Sequence, residues 1–241
     1  MRRFGILVTI GWLALAGAPP AVGAESGTAP PADNAPTITP GAPPADAEKP
    51  VTVDVKELMV PGPLGEEALG DPKAPVTIVE YVSMTCPHCA RVHRTAFQTL
   101  KSKYIDTGRV YFVLREFPLD PLATAAIMLA RCVPADKYFA AVSVMFELQD
   151  SWAFVDDPTT PLLKILQPFG FTEDSVKTCL GDKKILDGIN AVRDRGEKVF
   201  GIKGTPTFFF NGQRQAGELS IEEIEKTIAP MLPESLRIRG G

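Results

Sequence analysis

Two cysteines with two residues between them, Cys86 and Cys89, fall in MTCPHCARVH (84–93) together with both of the chain's histidines, His88 and His93. Such a pair can hold a metal, anchor a haem or cycle between dithiol and disulfide. Covalent haem attachment requires histidine directly after the second cysteine, and Ala90 stands there, so haem is excluded. A structural zinc site needs four ligands, usually from a second cysteine or histidine pair. The other two cysteines, Cys132 and Cys179, are 47 positions apart, and both histidines already belong to the first motif, so zinc fits poorly. A redox dithiol fits better. At a helix start the unpaired backbone N–H groups and the helix dipole favour an anion, which would stabilise a thiolate on Cys86. Pro87 suits the first helical position because its missing N–H costs nothing there. His88 can add positive charge or a hydrogen bond to the same sulfur. Cys89, further into the helix, would be less exposed and would resolve a mixed disulfide formed at Cys86.

That chemistry needs a helix start held at the end of a strand, and the flanking pattern supplies one. VTIVEYVSM (76–84) is a β-branched, nearly continuous apolar run behind Pro75, as expected of a central strand buried on both faces. Cys89, His93, Ala96, Leu100 and Tyr104 recur at helical spacing, and Gly108 closes that segment. VYFVLREF (110–117) is a second strand, stopped by Pro118. From Asp120 to about residue 200 every segment carries a helical apolar stripe, opening with Asp120 as N-cap before Pro121. Strands return in GTPTFFFNGQRQAG (204–217), where Asn211-Gly212 signals a type I′ hairpin. Ser220 with Glu223 makes a capping box, and Ile221, Ile224 and Ile228 form the apolar face of a last helix. The pattern is therefore an α/β domain, 51–119 and 201–232, interrupted by a helical insertion, 120–200, and followed by a tail, 233–241.

The first 24 of the 241 residues read as a cleaved secretory signal: a basic MRR, an apolar stretch, then AVGA ahead of a cut after Ala24. The competing reading is a membrane anchor, for which the apolar part is short and broken by Pro19-Pro20. Residues 25–50 contain seven prolines and almost no large apolar side chain, the composition of a disordered linker. Loss of Arg2 and Arg3 with the leader takes the formal charge from −4 to −6. With no Lys/Arg cluster, that balance argues against a nucleic-acid partner. Export favours disulfide-capable cysteines over metal ligands.

A strand carrying Glu80 six residues before Cys86, C-P-H-C opening a helix, a helical insertion, and a late G-T-P-T before a hairpin together resemble the DsbA-like thiol:disulfide oxidoreductases. The resemblance spans about residues 60–232. It implies a thioredoxin-like fold with an inserted helical domain, and a periplasmic enzyme without a bound cofactor. Cys86 then corresponds to the family's exposed nucleophile, Cys89 to its buried partner and His88 to the dipeptide residue that tunes the thiolate. Pro206 corresponds to a cis-proline, and Thr205 exposes backbone groups to an extended substrate. Glu80 matches a buried acid that exchanges protons with Cys89, with His93 and Arg115 as further members of that cluster. His93 is a departure, because the best-known members carry an acid at this place. Export, the even cysteine count and the resemblance together suggest a structural disulfide between Cys132 and Cys179, with two buried free thiols as the alternative. The implied partners are reduced or unfolded exported proteins and a membrane quinone-linked oxidase that recharges the pair. The dipeptide favours the oxidising direction. An isomerase or reductase of the same fold is the enzymatic alternative, and a peptide-binding chaperone the non-enzymatic one.

Overall fold

A computed structural model describes residues 51–237; the proposed leader 1–24, the linker 25–50 and the last four residues of the tail lie outside the described residues. In chain order the regular elements begin with α1 (Val55–Leu58), β1 (Glu67–Leu69) and β2 (Val76–Val82). Next come α2 (Pro87–Arg94), α3 (Ala96–Leu100) and β3 (Val110–Glu116). Five helices follow before the next strand: α4 (Pro121–Arg131), α5 (Tyr138–Glu147), α6 (Thr159–Leu166), α7 (Glu173–Leu180) and α8 (Lys183–Lys198). The chain ends in β4 (Thr207–Phe210), β5 (Gln213–Ala216) and α9 (Ile221–Ile228).

The sheet order is β1-β3-β2-β4-β5, with β2 and β3 parallel and the other pairs antiparallel. This is the thioredoxin-like arrangement with helices inserted between β3 and β4. The continuous apolar run of β2 has its reason here, since a strand at the centre of the sheet must bury both faces. Ile78 and Val82 join Phe112, Leu114, Phe208 and Phe210 in a core that continues into α2, α3 and the inserted helices. Val79 and Tyr81 point the other way and pack with Val113, Phe117, Phe209, Val192 and Phe200. The inserted helices thus share one core with the sheet.

Local signals explain several boundaries. Asp120 caps α4, its carboxylate accepting from the Ala123 N–H at 2.7 Å, with Pro121 at the first helical position. The hairpin residues Asn211 and Gly212 have φ of 46° and 89°, which an Asn-Gly pair tolerates and most residues do not. Asn211 also clamps β2, its side-chain oxygen accepting from the Thr77 N–H at 2.7 Å. The capping box of Ser220 and Glu223 is formed at α9. One expectation fails. The helical spacing from Cys89 to Tyr104 is not one helix, because Thr95 at φ −114°, ψ −77° separates α2 from α3. The Thr95 hydroxyl donates to the Arg91 carbonyl at 2.7 Å and so competes with the backbone ladder. Residues Lys101–Ile105 then widen into a π turn. The short α1 and β1 are additions that no periodicity announced.

Two buried arginines fasten the sheet to its surroundings. Arg131 of α4 bonds Glu116 of β3 and Glu67 of β1, the latter at 2.7 Å. Arg115 bonds Glu66 at 3.0 Å and the Tyr81 hydroxyl at 3.0 Å. Cys132, at the end of α4, is joined to Cys179 in α7 by a disulfide across a sequence separation of 47. Closing a loop of that length restricts the unfolded chain and contributes about 4 kcal/mol in the chain-entropy model. Replacing both cysteines by alanine should therefore lower the urea unfolding free energy by about 2–4 kcal/mol, with the Cys86–Cys89 pair kept in one redox state throughout. An unchanged midpoint would contradict that role for the disulfide.

Candidate active site

Strand β2 ends at the centre of the sheet and delivers Cys86 to the start of α2. Cys86 is the N-cap, in extended conformation, with Pro87 following and no side-chain cap of the oxygen type that usually satisfies a helix start. Its N–H donates to the Ser83 carbonyl at 3.1 Å, which fixes the turn. The sulfur therefore faces the free N–H groups of the first turn. Both thiols are unpaired by disulfide and both are buried, Cys86 with 6% of its surface exposed and Cys89 with 1%. Cys86 is thus less open than the exposed nucleophile that the resemblance implies.

The two thiols have opposite acidities. The Cys86 thiol is lowered from 9.0 to about 5, chiefly by a hydrogen bond from the Cys89 side chain. Burial opposes this, while Thr205 and the backbone N–H groups of Cys89 and His88 add to it. Cys89 is pushed well above the ordinary thiol range, first by burial and then by its bond to Cys86. The arrangement holds one sulfur as the anion and the other as its proton-bearing donor.

Across from Cys86 lies the loop before β4. The Thr205–Pro206 peptide is cis, and the Cys86 thiol when protonated donates to the Thr205 carbonyl at 3.2 Å. The Thr205 hydroxyl is buried and has no hydrogen-bond partner among the described residues. An open groove of about 610 Å³ runs past this pair, lined by Cys86, Pro87, Leu119, Leu122, Phe154 and Thr205 among others. Phe154 and Leu119 remain more than half or half exposed, at 59% and 50%, so the groove offers apolar surface beside the sulfur.

Glu80 lies beneath the site. It is buried on the same sheet face as its partners Leu114 and Phe208, and burial, with a smaller push from the Cys86 charge, raises it from 4.5 to about 8. Its charge in turn contributes to the raised value of Cys89. The wider cluster expected around it does not form. Arg115 pairs in register with Tyr81, one residue on from Glu80, and so occupies the opposite face of the sheet. His93 turns toward α5, where its Nε2 meets the Ser143 hydroxyl at 2.9 Å and its ring stacks on Phe97 at 4.4 Å. Burial lowers it to about 4, so it is a neutral packing residue and not a relay.

His88 serves Cys86 through its backbone N–H, while its ring is engaged elsewhere. Its Nδ1 lies 2.8 Å from a Glu218 carboxylate oxygen, and Arg91 donates to the same carboxylate from Nε and Nη2. The ring-to-sulfur bond expected from the sequence is replaced by this surface triad, which holds Glu218 well below the usual carboxylate range. Sequence reasoning also missed Gln149 and the contact of Thr85 with Asp120. Asp120 was visible as a helix cap, but nothing local marked Glu218 or Gln149.

The family model described as "Thioredoxin" matches residues 64–229. A Rickettsia typhi protein that bears a protein-disulfide oxidoreductase name is 35% identical over 170 residues, which cover 70% of this chain and 63% of that protein. The chain thus spans slightly less than two thirds of that relative's length. A Rickettsia bellii protein of the same description is 35% identical over 201 residues, covering 82% of this chain and 76% of its own. The crystal structure of alpha-DsbA1 from Wolbachia pipientis superposes with a TM-score of 0.67 at 34% identity, covering 73% of this chain and 94% of that one.

The opposed shifts of Cys86 and Glu80 give a signed pH dependence. Cys86 is a depressed acid: its stabilisation is complete above the unfolded value of about 8.5 and is lost as pH falls through about 5. Glu80 is a raised acid: its contribution is complete below 4.5 and is lost as pH rises through about 8. Glu80→Gln removes only the second effect. The reduced variant should gain on the reduced wild type between pH 5 and 8, by more than about 1 kcal/mol at the upper end, and show no growing gain below pH 4.5. Urea titrations across this range test it; a flat difference would mean that Glu80 is not held as a buried acid.

Proposed function

Since the chain belongs to the DsbA-like family of thioredoxin-fold proteins, we propose that it is a thiol:disulfide oxidoreductase that introduces disulfides into exported proteins through Cys86 and Cys89. The observation that carries the reading is the meeting of Cys86 with both the start of α2 and the Thr205 carbonyl, at the edge of an apolar groove. In the oxidised form a substrate thiolate attacks the Cys86 sulfur, and the Cys86–Cys89 bond breaks. The electron pair leaves on Cys89, whose high proton affinity draws a proton, with Glu80 as the buried group able to supply it. A second substrate thiolate then attacks the substrate sulfur of the mixed disulfide and expels Cys86. A thiol lowered to about 5 is a good leaving group, so release favours the new substrate disulfide. The substrate loses two electrons and the active-site pair gains them.

The extended substrate is read as pairing with the Thr205 backbone, its apolar side chains against Leu119, Leu122 and Phe154. The oxidising direction is supported by the stabilised Cys86 thiolate, because whatever stabilises the reduced pair makes its disulfide the stronger oxidant. DsbA itself is the established case of that relation, a strong oxidant because its reduced form is stabilised, and membership of its family supports the same direction here. A membrane quinone-linked oxidase would return the pair to the disulfide. Periplasmic location rests on the leader reading of residues 1–24 and agrees with the second disulfide between Cys132 and Cys179.

Cys89→Ala removes the resolving thiol and should accumulate mixed disulfides on Cys86 when mixed with an unfolded substrate whose cysteines carry a small thiol in disulfide linkage, the Cys86 thiolate attacking the substrate sulfur and expelling the small thiol. Cys86→Ala should accumulate none, as seen on non-reducing gels, and equal adducts from both variants would overturn the assignment. Equilibration of the wild type with glutathione should give a potential nearer that of DsbA, about −120 mV, than that of thioredoxin, about −270 mV. A thioredoxin-like value would reverse the proposed direction.

A further inference from the structure

Gln149 is a wholly buried polar side chain that the chemistry above does not use. Its Nε2 donates to the Met84 carbonyl at 2.8 Å and to the Cys86 carbonyl at 3.1 Å. These two carbonyls bracket the peptide units that set the direction of the Cys86 side chain. The residue opens the turn Gln149–Ser151 that follows α5, so it reaches the active-site loop from the helical insertion, 63 residues away from Cys86. The turn is firmly held. The Gln149 carbonyl accepts from the N–H groups of Trp152 and Ala153 at 3.1 and 2.8 Å. Trp152 is itself wholly buried and its indole donates to the Met145 carbonyl at 2.8 Å. Arg94, in the last turn of α2, approaches Asp150 of the same turn at 3.8 Å. One turn of the insertion therefore grips α2 at both ends. The Gln149 Oε1 is buried without a partner among the described residues, so the amide is not there to complete a polar network. A side chain of similar length without the unpaired oxygen would suit the interior better; what the amide contributes is the two donated bonds.

We infer that Gln149 is a positioning residue for the Cys86 thiolate: by holding the Met84 and Cys86 carbonyls it fixes the N-cap orientation in which the sulfur meets the first N–H groups of α2 and Thr205. The inference rests on the functional reading above, in which the Cys86 thiolate is the working group. The charged and titratable neighbours of that sulfur are Cys89, His88 and Arg91 on its own helix, Glu80 on β2, and Asp120 at the start of α4, linked through Thr85. Replacing Gln149 alters none of their charges. A change in Cys86 titration on its replacement therefore reports geometry.

The test is Gln149→Met in the full chain, which keeps the length of the side chain and removes both donated bonds. The ultraviolet absorbance of the thiolate should give a Cys86 midpoint about one unit higher than in the wild type. The equilibrium constant for reduction of the Cys86–Cys89 disulfide by glutathione should fall about tenfold. Trp152→Phe is the control for mere loosening, because it loses the bond to Met145 but leaves the amide in place. It should lower the melting temperature while the Cys86 midpoint stays at the wild-type value. If Gln149→Met does not fold, Gln149→Asn keeps an amide that falls short of both carbonyls and carries the same expectation. A Gln149 variant that is less stable yet titrates and equilibrates like the wild type overturns the inference, as does an equal midpoint shift in Trp152→Phe. A wild-type protein that does not exchange with glutathione at all overturns the functional reading, and this inference with it.

Discussion

A negative charge on a sulfur that is almost out of contact with water is the condition that the rest of this structure serves. Burial alone would push the Cys86 thiol upward, as it does for Cys89. The charge is tolerated because donors converge on it from three directions: the Cys89 thiol, the N–H groups at the start of α2, and the Thr205 loop. None of these can be supplied by one segment of chain. The helix start depends on β2 ending at the middle of the sheet, and the Thr205 loop depends on β4 lying directly beside β2. The insertion sits between β3 and β4 in sequence, so it lengthens the chain between Cys86 and Thr205 without parting β4 from β2 in the sheet.

The polar ties follow from the same requirement. With β2 buried on both faces, a carboxylate on it has no water to turn to, and Glu80 accordingly holds its proton to about pH 8. Other acidic side chains in or near the interior are paired with arginine, as in Glu116 with Arg131 and Glu66 with Arg115. The unpaired carboxyl is the one placed under the reacting sulfurs. Its position, and the lack of an arginine partner among the described residues, distinguish it from the other buried acids.

Much of this was legible in the sequence wherever the cause is local. The Cys-Pro-His-Cys helix start, the Asn-Gly hairpin, the Asp120 cap and the Ser220–Glu223 box are each decided by residues within four positions of one another. Strand β2 declared its burial through its unbroken apolar run. What could not be read is whatever register or long-range approach decides. Arg115 and Glu80 look like neighbours among the polar strand residues, but a parallel register that pairs Glu80 with Leu114 sends Arg115 to the other face. His93 continues the helical stripe of α2, and only the packing of α5 against that stripe shows that it is a core histidine. Glu218 and Gln149 reach the site across 130 and 63 residues, and neither stands in a motif. The break at Thr95 is local, yet a threonine in a helical stripe usually continues the helix, and its hydroxyl bond to Arg91 becomes visible only once made.

The asymmetry of the two sulfurs ties the fold to the redox chemistry of the pair. Both lie within one helical turn, both are buried, and both belong to one hydrogen bond, yet their acidities move apart. A bond between two thiols stabilises a proton on one only to the extent that it stabilises the anion on the other. The deeper burial of Cys89 breaks the tie, and the helix N–H groups add to it, because they reach Cys86 at the N-cap and not Cys89 one turn in. The oxidised pair has no anion to place there, and the same N–H groups then face a neutral disulfide. The favourable interaction therefore exists in one redox state alone, and on that difference rests the oxidising direction proposed for the pair.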